Sequence, residues 1–302
     1  MSAAAGDGGR GGGGRGGGGR GEGVDGVGGG IVKVGVAGRV ARALPIPAGA
    51  GLARWVLARN LLAFRHGWVT LVSGFAEPVF YLFSLGVGIG ALVHTVHTDG
   101  GSEVPYAVFV APALLASSAM NGAIMDSTFN VFFKLRHAKL YDSMLATPIG
   151  PRDIAVGEIG WAVLRGALYS AAFLVVALLA GMVTSWWALL ALPAAVLIGL
   201  AFAAVGMFAT TYMTSWQHFD YITLAIQPMF LFSATFFPLS TYPEGIRWLV
   251  QATPLYHGVT LERGLMLGEV SWALAGHTAY LVVLGVIGAL GAARRIERLL
   301  LT

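Results

Sequence analysis

Residues 186–211, WWALLALPAAVLIGLAFAAVGMFATT, contain no Asp, Glu, Lys, Arg or His. A segment of about 20 predominantly apolar residues crosses the roughly 30 Å hydrocarbon layer of a bilayer as an α-helix. Within that layer only helices and closed barrels satisfy their backbone hydrogen bonds. This stretch is apolar throughout and does not alternate with period two, so it predicts a transmembrane helix and excludes a barrel strand.

Five further stretches of the same kind lie on either side of this one. They cover residues 68–93, 106–129, 154–181, 221–237 and 271–293. The composition agrees, because 56% of the residues are hydrophobic and only 11% are charged. The sequence therefore predicts an all-α polytopic membrane protein with six transmembrane helices.

The basic residues predict the orientation of these helices. They precede the first stretch, separate the second from the third and follow the sixth, as Arg54, Arg59, Arg65, Lys134, Arg136, Lys139, Arg152, Arg294, Arg295 and Arg298. With six helices all three groups fall on one side, which the positive-inside rule assigns to the cytoplasm. We therefore expect a multi-pass inner-membrane protein with both termini in the cytoplasm. The same rule explains the net charge of +4 without a nucleic-acid partner.

The N-terminal part of the chain differs sharply from the rest. Residues 1–50 are rich in glycine and arginine and include the repeat GGGGR twice. Such a composition cannot bury enough apolar surface to offset the entropy lost on ordering. We expect residues 1–50 to be a disordered tail and residues 51–302 to form the transmembrane domain. Transport and membrane insertion are expected to survive removal of residues 1–30.

Two short helices are expected on the cytoplasmic side. Residues 52–66, LARWVLARNLLAFRH, combine helix formers with arginines and aromatic side chains, which is typical of a helix in the membrane interface; a cytosolic lead-in is the alternative. Residues 134–153, KLRHAKLYDSMLATPIGPRD, predict a second helix that is stopped by two prolines. Its Tyr141, Met144 and Leu145 are spaced to form one apolar face that is available to another protein.

The longest outer segment, residues 238–270, is too apolar for a simple linker. Prolines at positions 243 and 254 divide it into two parts. Apolar residues at this density avoid water while a helical backbone satisfies its own hydrogen bonds. Two short re-entrant helices that dip into the outer leaflet are therefore expected between the fifth and sixth spans, with a loosely packed outer cap as the alternative.

Charges inside the predicted spans are few. Glu77 and Arg165 lie about ten residues from the cytoplasmic ends of the first and third spans, a depth of roughly 15 Å. An unpaired charge at that depth costs at least about 2.5 to 3.5 kcal/mol. We therefore expect Glu77 and Arg165 to pair, with Glu158 as the competing partner of Arg165. Gly86, Gly88 and Gly90 are expected to form a small-residue face for helix packing.

Motifs for catalysis or for nucleotide binding are absent from this sequence. The three lysines, Lys33, Lys134 and Lys139, follow Val, Phe and Ala, so no Gly-Lys-[Ser/Thr] phosphate loop is present. His94, His97 and Asp99 have a spacing that suits a metal, but no further ligand is evident, and no metal site or cofactor is expected. The chain is not expected to be an enzyme, and any active transport by it requires a separate energy source.

Three segments of the chain resemble the membrane subunits of type-2 ABC exporters, and most closely the nodulation-type lipo-oligosaccharide and antibiotic exporter branch. These segments are FAEPVFYLFSLGVGIG at residues 75–90, SMLATP at 143–148 with the following Glu158 and Arg165, and PLYHGVTLERG at 254–264. The resemblance covers residues 52–299, and the glycine-rich tail departs from it.

The resemblance implies how the chain is driven. Such permeases pair with a second permease copy or a related permease and bind two copies of a separate ATP-binding subunit through a cytosolic coupling helix. That helix maps to residues 134–145, with Lys134, Arg136, Lys139, Tyr141, Met144 and Leu145 as coupling residues. The outer helices, with Pro254, His257 and Arg263, are expected to form an extracellular gate.

The expected function is therefore that of a permease in an ATP-driven exporter. Its cargo is expected to be a lipid-linked, glycolipid, polysaccharide or hydrophobic drug-like molecule, and antibiotic export belongs to the same range. The alternative is an ion-coupled secondary transporter, whose transport would collapse with an uncoupler and need no ATPase. A membrane scaffold, which would show no transport, is the third class.

Overall fold

A computed structural model describes residues 51–64 and 68–301, with no account of the side chains of residues 68–75 and 301. The disordered tail expected for residues 1–50 lies outside the described residues, and so does Arg65.

The described chain is mostly helical. In order, its elements are helices α1 (Ala53–Phe64) and α2 (Trp68–Leu92), strands β1 (Thr95–His97) and β2 (Glu103–Pro105), and helices α3 (Tyr106–Met125), α4 (Leu140–Leu145), α5 (Pro151–Leu179), α6 (Ala191–Thr210), α7 (His218–Leu231), α8 (Glu244–Ala252), α9 (Pro254–Leu267) and α10 (Ala273–Leu301). The π-helical segments Asp126–Asn130 and Phe133–His137 extend α3, the 3-10 turn Trp186–Leu190 precedes α6, and another, Leu239–Thr241, precedes α8.

Four of these helices are long and apolar enough to cross a membrane. They are Tyr106–His137, Pro151–Leu179, Trp186–Thr210 and Ala273–Leu300. The expectation of a helical, polytopic membrane protein is thus confirmed, apart from the antiparallel hairpin of β1 and β2. The first predicted span corresponds to α2. Its segment Ala76–Leu92 is apolar but shorter than the four helices above.

The fifth predicted span, residues 221–237, ends early as a helix. Helix α7 stops at Leu231, and the chain then turns at Ala234, whose φ of 55° lies in the left-handed region. The carbonyl oxygen of Ala234 then accepts a hydrogen bond from Arg263 Nη2 at 2.9 Å. The number of spans and the location of the termini therefore remain predictions.

Polar contacts define the two ends of the described bundle. At one end, Asp153 Oδ1 accepts a hydrogen bond from the backbone of Leu52 at 3.0 Å, and Arg152 pairs with Glu297 at 3.5 Å. These contacts bring the start of α1, the start of α5 and the last turns of α10 together. This end also carries the basic residues on which the cytoplasmic assignment rests.

The opposite end joins the β-hairpin to the segment between α7 and α10. Asp99 accepts hydrogen bonds from the backbone N–H groups of Leu239 and Ser240 at 3.1 and 3.2 Å. Thr98 donates a hydrogen bond to Glu269. Asp99 therefore caps a 3-10 turn, and no group of three or more metal-ligating side chains is found among the described residues.

Helices α6 and α10 cross closely. A Cβ atom on Gly288 would lie 2.8 Å from Val205 N and 2.9 Å from the carbonyl carbon of Ala204. Small residues let backbones approach at this distance, which is how helices associate without a hydrophobic driving force in lipid. Of the glycine face predicted on α2, Gly86 packs against Ala107, whereas a Cβ on Gly88 or Gly90 would meet no atom of the described residues within 4 Å.

Candidate functional site

Two buried ion pairs form the centre of the candidate site. In the first, Arg165 Nη1 on α5 lies 2.6 Å from Asp126 Oδ1, and the two side chains are 14% and 5% exposed. Arg165 Nε also donates to the hydroxyl of Tyr169 at 3.1 Å, and the guanidinium lies over the Phe64 ring. Arg165 therefore connects α5 to the long second span and to α1.

The second pair joins Lys134 to Glu158. Lys134 Nζ lies 2.7 Å from Glu158 Oε2, and the Glu158 side chain is only 1% exposed. Asn60 on α1 completes this arrangement, since its Nδ2 donates to Glu158 at 3.1 Å and its Oδ1 accepts from Lys134 at 3.0 Å. These contacts connect α1, α5 and the end of the second span through buried polar groups.

A π-helical distortion carries one member of each pair. Asp126 opens the segment Asp126–Asn130, and Lys134 lies in the segment Phe133–His137. Such segments inside an α-helix frequently mark functional sites. Here Thr210 Oγ1 donates to the Ser127 carbonyl at 3.1 Å, and a Cβ on Gly206 would lie 2.3 Å from Ser127 Oγ. The missing side chain of Gly206 in α6 therefore leaves room for the π-helical bulge. The hydroxyl of Thr210 provides a hydrogen bond to a carbonyl oxygen of the bulge.

The predicted partner of Arg165 is wrong. Arg165 pairs with Asp126, and the competing candidate Glu158 pairs with Lys134. Glu77 is exposed and lines a small cavity of about 100 Å³ with Ser117, Ser118, Asn121 and Gln227 among its neighbours. Residue counting gave the depth of Glu77 in its span, but depth does not specify which face of the helix a side chain occupies.

The predicted apolar face of the coupling helix is also corrected. Tyr141 is 1% exposed and Met144 is 7% exposed, and both pack into the main hydrophobic core. Burial, with the Glu158 carboxylate as a further contribution, raises the pKa of Tyr141 well above its usual value. Leu145 is half-buried. This face of α4 therefore anchors the helix to its own chain and is not available to a partner.

The basic coupling residues divide in the same way. Lys134 is buried in the ion pair with Glu158, whereas Arg136 and Lys139 are exposed. Lys139 has a φ of 44°, in the left-handed region, and it turns the chain between the end of the second span and α4. The outward surface of α4 is formed by Asp142 and Ser143.

The three predicted gate residues occupy helix α9. Pro254 is its first residue, where a missing N–H costs nothing. His257 Nδ1 lies 2.7 Å from His277 Nδ1, and its ring stacks on Tyr280 with centroids 3.8 Å apart. Burial lowers the pKa of His257 to about 4, with His277 as the second cause. His257 is therefore neutral at physiological pH and fastens α9 to α10.

Arg263 ties the same helix to the centre of the bundle. Its guanidinium lies 3.9 Å from the centroid of the Phe109 ring, and it donates to the carbonyl oxygens of Ala234 and Phe109. The neighbouring Glu262 is fully buried, and neither of its carboxylate oxygens has a hydrogen-bond partner in the described part of the chain. Burial raises the pKa of Glu262 well above its usual value, which favours the neutral acid.

Sequence reasoning missed Asp126 and Asn60 as site residues. The sequence does contain Asp126 as an acidic residue near the C-terminal end of the second predicted span. Asn60 gave no comparable signal, because a single amide that follows an arginine has no pattern that predicts burial.

Comparison with known proteins gives a consistent result. The sequence profile of the ABC-2 type transporter family matches residues 52–267. Nodulation protein J of Rhizobium leguminosarum bv. viciae is 37% identical over 229 residues, which cover 74% of this chain and 85% of that protein. Nodulation protein J of Rhizobium meliloti (strain 1021) is 34% identical over 230 residues, 75% and 85% of the two chains. Nodulation protein J of Sinorhizobium fredii (strain NBRC 101917 / NGR234) is 33% identical over 251 residues, 82% and 93%.

Proposed function

Because this chain belongs to the ABC-2 type transporter family, and is therefore a membrane component of an ABC exporter, we propose that it moves a lipid-linked, glycolipid, polysaccharide or hydrophobic drug-like molecule out of the cytoplasm. The observation that carries this proposal is the family match over residues 52–267. The four long apolar helices support it, since they are long and apolar enough to cross a bilayer.

Six spans with both termini in the cytoplasm form part of the proposal. The contacts of Leu52 with Asp153 and of Arg152 with Glu297 support it, because they bring three basic segments to one end. The positive-inside rule makes that end cytoplasmic. The β-hairpin and the helices α8 and α9 then lie on the outer side.

The energy source in this proposal is a separate ATP-binding subunit, present in two copies, with a second permease completing the transporter. The sequence has no Gly-Lys-[Ser/Thr] loop, so this chain lacks the usual means of cradling nucleotide phosphates. Helix α4 supports the proposed coupling role of residues 134–145. Its buried side is fixed by Tyr141 and Met144, while its other side is open to a partner.

A push on α4 has a defined route into the bundle. The turn at Lys139 connects α4 to the segment that holds Lys134, and the Lys134–Glu158–Asn60 contacts lead on to α5 and α1. Arg165 and Asp126 join the same helices one step deeper. Because buried ion pairs keep their geometry more strictly than apolar contacts do, displacement of α4 would move these helices together.

The outer helices are proposed as the extracellular gate. His257 contacts α10 and Arg263 contacts α3 and the turn after α7, so α9 is fastened to both sides of the bundle. A change in helix packing therefore reaches α9 directly, and Pro254 sets the point at which α8 and α9 diverge.

The test is ATP-dependent transport by the assembled complex. The permease is co-purified with its ATP-binding subunit and reconstituted into liposomes that contain a fluorescent amphiphile. We expect transport that requires ATP and both proteins and that persists with an uncoupler. Transport that needs no ATPase and collapses with the uncoupler would identify an ion-coupled carrier, and absence of transport under all conditions would favour a scaffold.

A further inference from the structure

The strongest unassigned feature is an open cavity at the cytoplasmic end, between α1, the end of the second span and α5. Its volume is about 610 Å³. The lining combines basic, amide and aromatic side chains, among them Arg59, Asn60, Phe64, Lys134, Trp161 and Arg165. This combination differs from a solvated surface and from an apolar groove.

The charges of this cavity do not balance. Lys134 is neutralised by Glu158 and Arg165 by Asp126. Arg59 is left over, because its only hydrogen bond within the described residues goes from Nη1 to the Asn60 amide oxygen at 3.2 Å, and no carboxylate there pairs with it. The cavity therefore carries one positive charge more than it neutralises, held on a half-buried guanidinium.

The remaining lining favours an amphiphile over a free ion. Met125, Phe133 and Trp216 are 53%, 51% and 47% exposed, so apolar surface faces the cavity beside Arg59. Phe64 and Trp161 pack edge to face at 5.3 Å and form a further aromatic wall. Arg in particular binds phosphate through paired N–H donors, and aromatic and thioether side chains accommodate acyl chains.

We propose that this cavity binds the phosphate of an anionic amphiphile from the cytoplasmic leaflet, with Arg59 as the residue that selects for negative charge. The phosphate has two sources, a transported lipid-linked cargo or a resident membrane phospholipid, and their chemistry at Arg59 is the same. The inference rests on the proposed function for its placement on the cytoplasmic side, but binding itself requires neither ATP nor a partner.

The first experiment measures binding to the purified chain in detergent. Short-chain phosphatidylglycerol and phosphatidylcholine are titrated separately, and tryptophan fluorescence reports occupancy. We expect saturable binding of phosphatidylglycerol at least tenfold tighter than that of phosphatidylcholine. Arg59→Gln should remove most of this preference. Equal affinity for the two lipids in the wild-type chain would overturn the proposal.

Helix α1 supplies a matched control. Arg54 lies on the same helix but is exposed and contacts Trp55, and it does not line the cavity. Arg54→Gln should therefore leave the preference for phosphatidylglycerol unchanged. An equal loss in Arg54→Gln and Arg59→Gln would show a diffuse surface-charge effect and would contradict the proposal. Circular dichroism of both variants checks that each is folded.

A second arm distinguishes the two sources of phosphate. The complex with the ATP-binding subunit is reconstituted with a trace of fluorescent phosphatidylglycerol, and its movement between leaflets is followed with and without ATP. ATP-driven movement that Arg59→Gln abolishes identifies cargo, whereas retained binding without movement identifies a resident lipid. Binding in the first experiment with failure of ATP-driven export of any amphiphile would remove the proposed function and leave this inference standing.

Discussion

The pairing of Arg165 with Asp126 shows how a buried charge constrains this protein at the scale of a residue. Arg165 donates from Nη1 to Asp126 and from its other nitrogens to Tyr169. Removing one member of a buried pair leaves the other desolvated and uncompensated, which is far costlier than losing both. The pair is therefore more important for keeping helices in register than for net stability.

A double-mutant cycle tests this pair. We expect Arg165→Ala and Asp126→Ala each to destabilise the chain by about 3–5 kcal/mol, and the double mutant to lose much less than the sum. Thermal unfolding in detergent measures all four proteins. Glu77→Ala is the control, because Glu77 has no ion pair among the described residues, and its effect should add simply to that of Arg165→Ala. Additivity in the Asp126 cycle would contradict the pairing.

Tyr141 gives a second prediction at this scale. Because Tyr141 is 1% exposed, Tyr141→Asp should unfold the segment around α4, at a cost of about 3–5 kcal/mol for lost packing and more for a buried charge. The sequence alone predicts a different result, a folded chain that has lost only its ATPase. Asp142→Lys is the matched control on the exposed side and should leave the thermal midpoint unchanged. A stable Tyr141→Asp protein would contradict the burial.

At the scale of helices, the sequence predicted where the helices lie along the chain. It did not predict which face of each helix is buried. Helices α2, α3, α5 and α10 begin within three residues of the predicted stretches, because a continuous apolar run has only one stable form in lipid. The faces that Glu77 and Arg165 occupy on their helices were not predictable. The rotation of a helix about its own axis depends on which helices are its neighbours. In an apolar environment the hydrophobic pattern does not distinguish the side that faces protein from the side that faces lipid.

Two features at this scale had no signal in the local sequence. The π-helical segments arise where Asp126 and Lys134 must face α5, and nothing in DSTFN or FKLRH marks them. The segment after the early end of α7 likewise contacts a distant residue, since the Ala234 carbonyl accepts a hydrogen bond from Arg263. Local propensity cannot encode a contact that is made across the fold.

The crossing of α6 and α10 provides the prediction for this scale. Gly288→Ala places a Cβ against the backbone of Ala204 and Val205, which cannot move independently of its helix. We expect a destabilisation of about 1–3 kcal/mol. Gly276→Ala on the same helix meets nothing within 4 Å and should be neutral or stabilise by up to about 1 kcal/mol. Equal thermal midpoints for the two variants would contradict the close crossing.

At the scale of the whole molecule, the proposed orientation decides which surface a partner reaches. Helix α4 and the cavity beside Arg59 belong to the basic end, whereas the β-hairpin and α9 belong to the other. ATP is available only in the cytoplasm, so coupling and cargo entry require the basic end to face inward. If the orientation were reversed, Asp142 and Ser143 would contact no ATPase at all.

The absence of cysteine makes this orientation directly measurable. Because the sequence contains no cysteine, a single introduced cysteine is the only thiol with which a maleimide can react. Ser102 and Ser143 are both exposed and lie at opposite ends of the proposed topology. In intact cells a membrane-impermeant maleimide should label Ser102→Cys and leave Ser143→Cys unlabelled until the membrane is opened.

Once the ATP-binding subunit is bound, Ser143→Cys should be protected even in opened membranes, because α4 then lies in an interface. Ser102→Cys should be labelled as before. Labelling of Ser143→Cys in intact cells would reverse the topology, and undiminished labelling in the assembled complex would place the coupling surface away from α4.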